Sequence, residues 1–399
     1  MLAVETEGGA CLRIAKIEPL FLRYPFPAAL GYRHAGGLVE NMDAALIRVT
    51  ADTGEYGLGE VTFGQHTHEP VVGLVEHFNR LLDGFPIEQI NRSWELMYQS
   101  SRFWNRQGIG MAVMGGINIA LHDLLGKLMR LPVYQLLGGL ARSRIRVYAS
   151  HGLHATAEPL IADAKRAREA GFNAYKMRIT NPDTIVPLVA ALRTALGKTM
   201  DIMVDAGEAG GFVPWSVSIS QKIAKALEPY EPLWLEEPAR VENVEGYLAI
   251  QEATTINIAG AESIPTAHAF RPYLERGVFD LVQFDIATAG FTEGRRIAAL
   301  AGVHEKPIAI HSWGTIVSIM AGVHFGLATP NCAITEYNFT EHPFNERLSA
   351  QPVRPRDGHI DAPDLPGLGV SFDDALLREF PYKPGKNTMI LAEEKDLAL

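Results

Sequence analysis

From residue 174 onward, seven successive apolar runs each close on an ionisable side chain. Lys176 and Arg178 stand in "AYKMRIT", Asp205 in "DIMVDAG" and Glu236 in "LWLEEP". Glu262 follows "NIAGA", Asp285 closes "LVQFD", His311 closes "PIAIH" and Glu336 stands in "CAITEYN". Short apolar runs are buried strands, and unpaired buried charge is costly, so this recurrence needs a chemical reason. Asp205, Glu236 and Glu262 come from consecutive runs and include no Cys or His. They form an all-oxygen donor set suited to a hard divalent cation, Mg²⁺. Asp285 and His311 come from neighbouring runs. A carboxylate on one imidazole nitrogen leaves the other as an acceptor, which makes His311 a candidate general base. Lys176 and Arg178, two residues apart, face the same side of a strand. Glu237, beside Glu236, reads as a structural or supporting acid. Taken singly, each acid has a plain account as an ion-pair partner, and His311 as a satisfied core histidine. The ordered set does not.

Such residues need elements that bring them to one place. Eight apolar runs start near residues 146, 174, 201, 233, 257, 281, 307 and 332, separated by stretches of helical texture such as "AEPLIADAKRAREAG" and "EGRRIAALAGVHE". Eight strands alternating with helices at this pitch predict an α/β fold, a modified TIM-type barrel whose C-terminal strand ends carry the chemistry. An open doubly wound sheet is the alternative, but no glycine-rich phosphate turn follows the first strand. The preceding chain predicts an α+β capping domain. Residues 13–26 and 41–61 read as strands with a turn at "DTGEYG", and residues 71–129 are mostly helical by period. The expected domains are residues 1–138 (cap), 139–343 (barrel) and 344–399, a proline-rich return that packs on the cap. A loop rich in glycine and small residues at about 27–40 reads as mobile, and residues 62–70 read as a second, polar loop.

Composition narrows the partners. The net charge is −10 over 399 residues, with 47% hydrophobic and 21% charged residues. That balance is expected of a soluble globular protein, not of a nucleic-acid binder or an anionic-membrane binder. Two cysteines make no disulfide framework. No run reaches membrane-spanning length and no signal peptide is read at the start, so a cytoplasmic protein is expected. A homo-oligomer is the expected assembly.

The pieces "YKMRI", "MVDAG", "WLEEP", "GAES", "QFDI", "AIHSWGT" and "TEYN", in this order, resemble the enolase superfamily, specifically its mandelate racemase/muconate lactonizing enzyme branch, across nearly the whole chain. The resemblance implies Mg²⁺ on Asp205, Glu236 and Glu262. It places Lys176 and Arg178 on one side of a carboxylate substrate and the His311–Asp285 dyad on the other. Glu336 would hydrogen-bond the substrate carboxylate, and the loops at 27–40 and 62–70 would be lids that select the substrate. The shared chemistry is removal of a proton α to a carboxylate, for which a His or Lys base with Mg²⁺ is the general pattern.

This chain departs from that branch at Arg178, where racemases carry a second lysine as a base. A guanidinium stays protonated and is a poor proton acceptor. One-base chemistry is therefore expected, with His311 taking the α-proton and then delivering it to a departing β-hydroxide. That is dehydration of an aldonate or aldarate to a 2-keto-3-deoxy acid. The segments "HSWGT" and "FTEHPFNERL" also resemble members that act as sugar-acid lactone or anhydro-sugar cycloisomerases, which is the enzymatic alternative, followed by racemase or epimerase. The non-enzymatic alternative is a sugar-acid binding protein on a retired barrel, distinguished by its failure to exchange the substrate α-hydrogen with D₂O. Tyr32, His34, Trp104, Arg106 and Trp313 are candidate substrate contacts.

Overall fold

A computed structural model describes residues 12–27, 32–34, 37–179, 181–207 and 214–384. The cap is built on an antiparallel sheet of β1 (Ile14–Pro25), β4 (Asn41–Ala51) and β5 (Tyr56–Glu60) in the order β1-β4-β5. A separate hairpin pairs β2 (Tyr32–His34) with β3 (Gly37–Val39). Helices α1 (His68–Leu82), α2 (Ile90–Ser101) and α3 (Ile109–Met129) cover the sheet. Glycines allow close approach here: a Cβ on Gly59 would come within 1.9 Å of the Gly116 carbonyl oxygen on α3. Among the described residues, α3 is the one helix long and apolar enough to cross a membrane, and it is buried in the protein core.

The barrel strands are β6 (Arg144–His151), β7 (Ala174–Arg178), β8 (Asp201–Asp205), β9 (Leu235–Glu236), β10 (Ile258–Gly260), β11 (Leu281–Val282), β12 (Ile308–Ile310) and β13 (Cys332–Asn338). All eight pair in parallel in sequence order, and β13 pairs back onto β6 to close the ring. Among the described residues, seven helices lie between them: α4 (Ala157–Glu169), α5 (Pro182–Leu196), α6 (Val217–Leu227), α7 (Val244–Glu252), α8 (Ala267–Glu275), α9 (Ile286–Val303) and α10 (Ile316–Ala328). The eight-stranded barrel with a capping sheet is the architecture expected from the pattern. After β13 the chain adds β14 (His359–Asp361) antiparallel to β6. It then reaches the cap, where Arg48 meets Asp374 at 2.7 Å and the Tyr56 hydroxyl donates to the Phe372 carbonyl oxygen.

Inside the barrel, Tyr148, Ala174, Met203, Trp234, Ala259, Leu281, Ala309 and Ile334 form one apolar cluster, one residue from each strand position. Side chains alternate across a strand, so the residue two further on points inward again, one layer higher. That second layer reads Ser150, Lys176, Asp205, Glu236, Ala261, Gln283, His311 and Glu336, all buried. The apolar layer is thus the floor of a polar chamber at the C-terminal end of the barrel.

Two buried histidines each favour the fold less as pH falls. His122 on α3 donates from Nδ1 to the Asn118 carbonyl oxygen, and His324 on α10 accepts at Nδ1 from the Tyr134 amide. Burial, the largest influence on each, pulls them down to about 4 and about 3. Both therefore stay neutral in the folded protein while the unfolded chain takes up protons below about pH 6.5. Their stabilising contribution is complete above that pH and is lost as pH falls toward 4. At pH 5 the loss is about 2 kcal/mol per residue. Glu60 and Glu236, which burial raises to about 7, act in the opposite sense over this range, so the histidine contribution is read as a difference. The urea midpoint of the wild type relative to His324→Asn should fall as pH is lowered from 7 to 5, and a difference independent of pH would contradict the assignment.

Candidate active site

Strand closure places the polar layer around one point. Lys176, 1% exposed, directs its ammonium between three carboxylates: 2.6 Å from Glu236 Oε1, 3.1 Å from Glu336 Oε1 and 3.3 Å from Asp205 Oδ2. Asp205 lies across from Arg178 on β7 and from Glu236 on β9. Both Nε and Nη2 of Arg178 lie 2.7 Å from Asp205 Oδ2, and its guanidinium stands 5.7 Å from the Trp313 ring. The second oxygen of Glu236 accepts from Trp234 Nε1 at 2.8 Å and Gln283 Nε2 at 3.0 Å.

The backbone turns sharply beside two of the acids. Glu237, directly after Glu236, has φ 47°, and Ala261, directly before Glu262, has φ 87°. Non-glycine residues rarely occupy this left-handed region, and such outliers gather at functional sites. The turn at Ala261 breaks the regular alternation, and Glu262 reaches the chamber from the next position. Glu262 then faces His311, with 3.1 Å between its carboxylate and Nε2.

His311 is 2% exposed. Its Nδ1 lies 2.7 Å from Asp285 Oδ2 on the neighbouring run, the hydrogen-bonded pair expected of a dyad. Asp285 also caps α9, accepting from the Thr288 amide at 2.6 Å. Glu336 accepts from the Ser312 amide at 2.9 Å and lies 3.5 Å from His311 Nε2.

The electrostatics follow from these contacts. Burial acts most strongly on His311 and lowers its pKa, but Glu262, Glu336 and Asp285 outweigh it and raise the ring to about 10. On Lys176, burial again opposes the charge, while Glu236, Glu336 and Asp205 overcome it and hold the ammonium well above its ordinary range. Burial pushes Glu236 up to about 7, against the pull of Lys176. On Glu336 and Asp205 burial is likewise the largest influence. Lys176 and His311 outweigh it to bring Glu336 down to about 2, and Arg178 with Lys176 hold Asp205 well below its usual range.

Five carboxylates, Asp205, Glu236, Glu262, Asp285 and Glu336, thus share at most three cationic partners, Lys176, Arg178 and His311. Two negative charges remain uncompensated in the chamber. Asp205, Glu236 and Glu262 fit a hard divalent cation by donor chemistry and by this charge deficit. In the present arrangement Lys176 occupies the space between Asp205 and Glu236, and Glu262 is turned to His311. Among the described residues, the group whose ligand atoms all lie within 4.8 Å is a different one, His151, His154 and Asp163 at the end of β6 and on α4. There Arg166 and the Tyr175 hydroxyl already bind the Asp163 oxygens.

A narrow cleft of about 80 Å³ opens above the chamber, lined by Asp43, Glu60, Thr62 and His66 of the cap and by Arg178 and Trp313 of the barrel. Trp313 is therefore at the cleft. Trp104 and Arg106 do not line it: Trp104 is 56% exposed with its ring against His77, and Arg106 Nε donates to the Arg102 carbonyl oxygen. The side chains of Tyr32 and His34, and residues 28–31 and 35–36 of the first lid loop, lie outside the described residues. Sequence reasoning missed Gln283, Trp234, Glu60 and Thr62. Gln283 had a signal, since it stands two residues before Asp285 on the inward face.

Comparison with known proteins agrees with this architecture. Residues 20–138 match the mandelate racemase/muconate lactonizing enzyme N-terminal domain, and residues 159–376 match the enolase C-terminal domain-like family. A D-galactonate dehydratase of Ralstonia pickettii is 31% identical over 350 residues, covering 84% of this chain and 90% of that protein. The crystal structure of the 3,6-anhydro-D-galactonate cycloisomerase from Zobellia galactanivorans is similar at 28% identity and a TM-score of 0.83, covering 93% of this chain and all of that one. A Streptomyces coelicolor racemase structure with bound magnesium is similar at 26% identity and a TM-score of 0.79, over 92% of this chain and 99% of that one. Family models thus cover both the cap and the barrel, and the chain belongs to the mandelate racemase/muconate lactonizing enzyme branch of the enolase superfamily and is an enzyme of it.

Proposed function

We propose that this enzyme removes the proton α to the carboxylate of a sugar acid and eliminates the β-hydroxyl, yielding a 2-keto-3-deoxy acid. The observation that carries this reading is the asymmetry of the chamber. His311, backed by Asp285, is the one imidazole among the polar-layer residues, and the facing cations, Lys176 and Arg178, are tied into carboxylates. A guanidinium, and an ammonium held above its ordinary pKa, serve as electrostatic clamps better than as bases.

Removing an α-proton leaves a second negative charge on the substrate, and fixed positive charge in a dry site lowers that cost. Asp205, Glu236 and Glu262 would hold Mg²⁺, which members of the superfamily bind; when bound it supplies positive charge at the substrate carboxylate. Glu262 is the foremost influence raising His311, and once committed as a ligand it would leave the imidazole closer to its free-base form. His311 Nε2 takes the α-proton. The electron pair moves to the carboxylate and returns to expel the β-hydroxyl, which leaves as water with the proton from His311. The resulting enol becomes the keto acid. Glu336, ionised here beside Lys176 and His311, gains basicity as a substrate carboxylate arrives, and with a proton it becomes a donor to that carboxylate.

Cycloisomerisation is the second reading, because the same proton removal can expel a ring oxygen and a similar protein is named a cycloisomerase. The test is a library of aldonic and aldaric acids and their lactones and anhydro forms, including D-galactonate, the acid named for a relative. Keto-acid formation with loss of water supports dehydration, and ring opening without it supports the second reading. Failure of every acid both to form product and to exchange its α-hydrogen with D₂O would defeat both.

Arg178→Lys separates clamp from base. Lysine keeps the charge but loses the planar fork on Asp205, so turnover should fall by roughly tenfold or more. Wild-type enzyme in D₂O should exchange from the His311 face alone, read by NMR as one configuration. Exchange from both faces in the wild type would favour a racemase.

A further inference from the structure

Two cap residues reach into the base side of the chamber from one strand end. Glu60 closes β5 and Thr62 follows it, two residues on, so both point toward the barrel. They are 5% and 6% exposed. The Glu60 carboxylate accepts from the Thr315 amide at 2.9 Å, the Thr315 hydroxyl at 2.8 Å and the Ser318 amide at 3.1 Å, fixing the start of α10 and the loop that follows His311. A Cβ on Gly314 would sit 2.8 Å from Glu60 Oε1, which explains the glycine in "HSWGT". The Thr62 hydroxyl donates to Asp285 Oδ1 at 2.7 Å.

Asp285 therefore has three donors: Thr62 from the cap, the Thr288 amide from its own helix, and His311 Nδ1. The first two hold Oδ1 and leave Oδ2 aimed at the imidazole. A carboxylate held this way cannot rotate away from the ring, and the ring keeps one tautomer and one orientation. We infer that Thr62 is a positioning residue for the His311–Asp285 dyad, and that the segment at 62–70, beyond lining the cleft, completes the base from the cap side. The base is then fully oriented only while the cap is docked. This inference rests on the dyad acting as the base.

Thr62→Val is nearly isosteric and removes only the donor. With the acid identified by the library screen, it should lower kcat by about 10–100-fold while KM changes by no more than about threefold, and Thr62→Ser should restore most of the loss. An activity-independent readout is the far-downfield proton resonance of the His311 Nδ1–Asp285 hydrogen bond, assigned by its absence in His311→Asn. It should move or broaden in Thr62→Val and return in Thr62→Ser. If Thr62→Val fails to fold, Thr62→Ala is read in the same way. Wild-type kcat and an unmoved resonance in the donor-less variant, with His311→Asn inactive, would overturn the positioning role and leave the base assignment standing. An active His311→Asn would instead overturn the base assignment.

Discussion

His311→Asn should lose turnover and α-proton exchange together, by about 10³–10⁴-fold, the upper part of the range for losing a general base. Asparagine keeps a hydrogen-bonding group near the Asp285 carboxylate, so the chamber should stay folded and the cation should still bind. The loss is expected to be this large because no second base stands ready. Lys176 is 2.6 Å from Glu236 and held protonated, and Arg178 is forked onto Asp205. Asp285→Asn should be impaired less severely, since it spoils the orientation and basicity of an imidazole that is still present. The measurement is the rate of α-deuterium incorporation in D₂O beside product formation, with circular dichroism as the fold control. Exchange at the wild-type rate in His311→Asn would move the base elsewhere, Lys176 first.

Glu236→Gln should weaken Mg²⁺ binding sharply and lower turnover by about 10²–10³-fold, as expected when charge stabilisation at a developing anion is disrupted. Glu236 is the central member of the proposed set, between Asp205 on β8 and Glu262 after β10. Trp234 and Gln283 hold its outer oxygen and aim the inner one into the chamber. A neutral amide there leaves Lys176 with less counter-charge and makes the chamber less negative by one charge. Calorimetric titration with Mg²⁺ reads the first effect without any substrate. In the wild type, a chelator should abolish exchange and added Mg²⁺ should restore it. An unchanged Mg²⁺ titration in Glu236→Gln would remove this residue from the cation site, whatever its activity.

The parts of the site visible in the sequence are those that local rules govern. Apolar runs ending in Asp205, Glu236, Asp285 and His311 could be placed at strand ends because a strand has period two and a barrel repeats its βα unit at a steady pitch. The same rules put Lys176 and Arg178 on one face. They also reach Gln283, which the inward alternation marks and which only its buried bond to Glu236 makes meaningful. The left-handed residues Glu237 and Ala261 carry no local signal, since nothing in "LEEP" or "GAES" requires a positive φ. Residue type alone marks Trp104 and Arg106, and residue type says nothing about which side of a loop meets the cleft.

By itself, then, the amino-acid order determined an eight-stranded α/β barrel with a cap and the list of residues brought to its C-terminal end. The tertiary structure decided their partners. Lys176 sits among three carboxylates only because β7, β8, β9 and β13 converge when the ring closes. Thr62 meets Asp285 across 223 residues of chain and Glu60 meets Thr315 across 255. A hydroxyl at the end of an edge strand is an ordinary residue in any local window. It becomes part of the site because packing of the cap on the barrel sets it against Asp285 Oδ1, as a second donor beside the Thr288 amide.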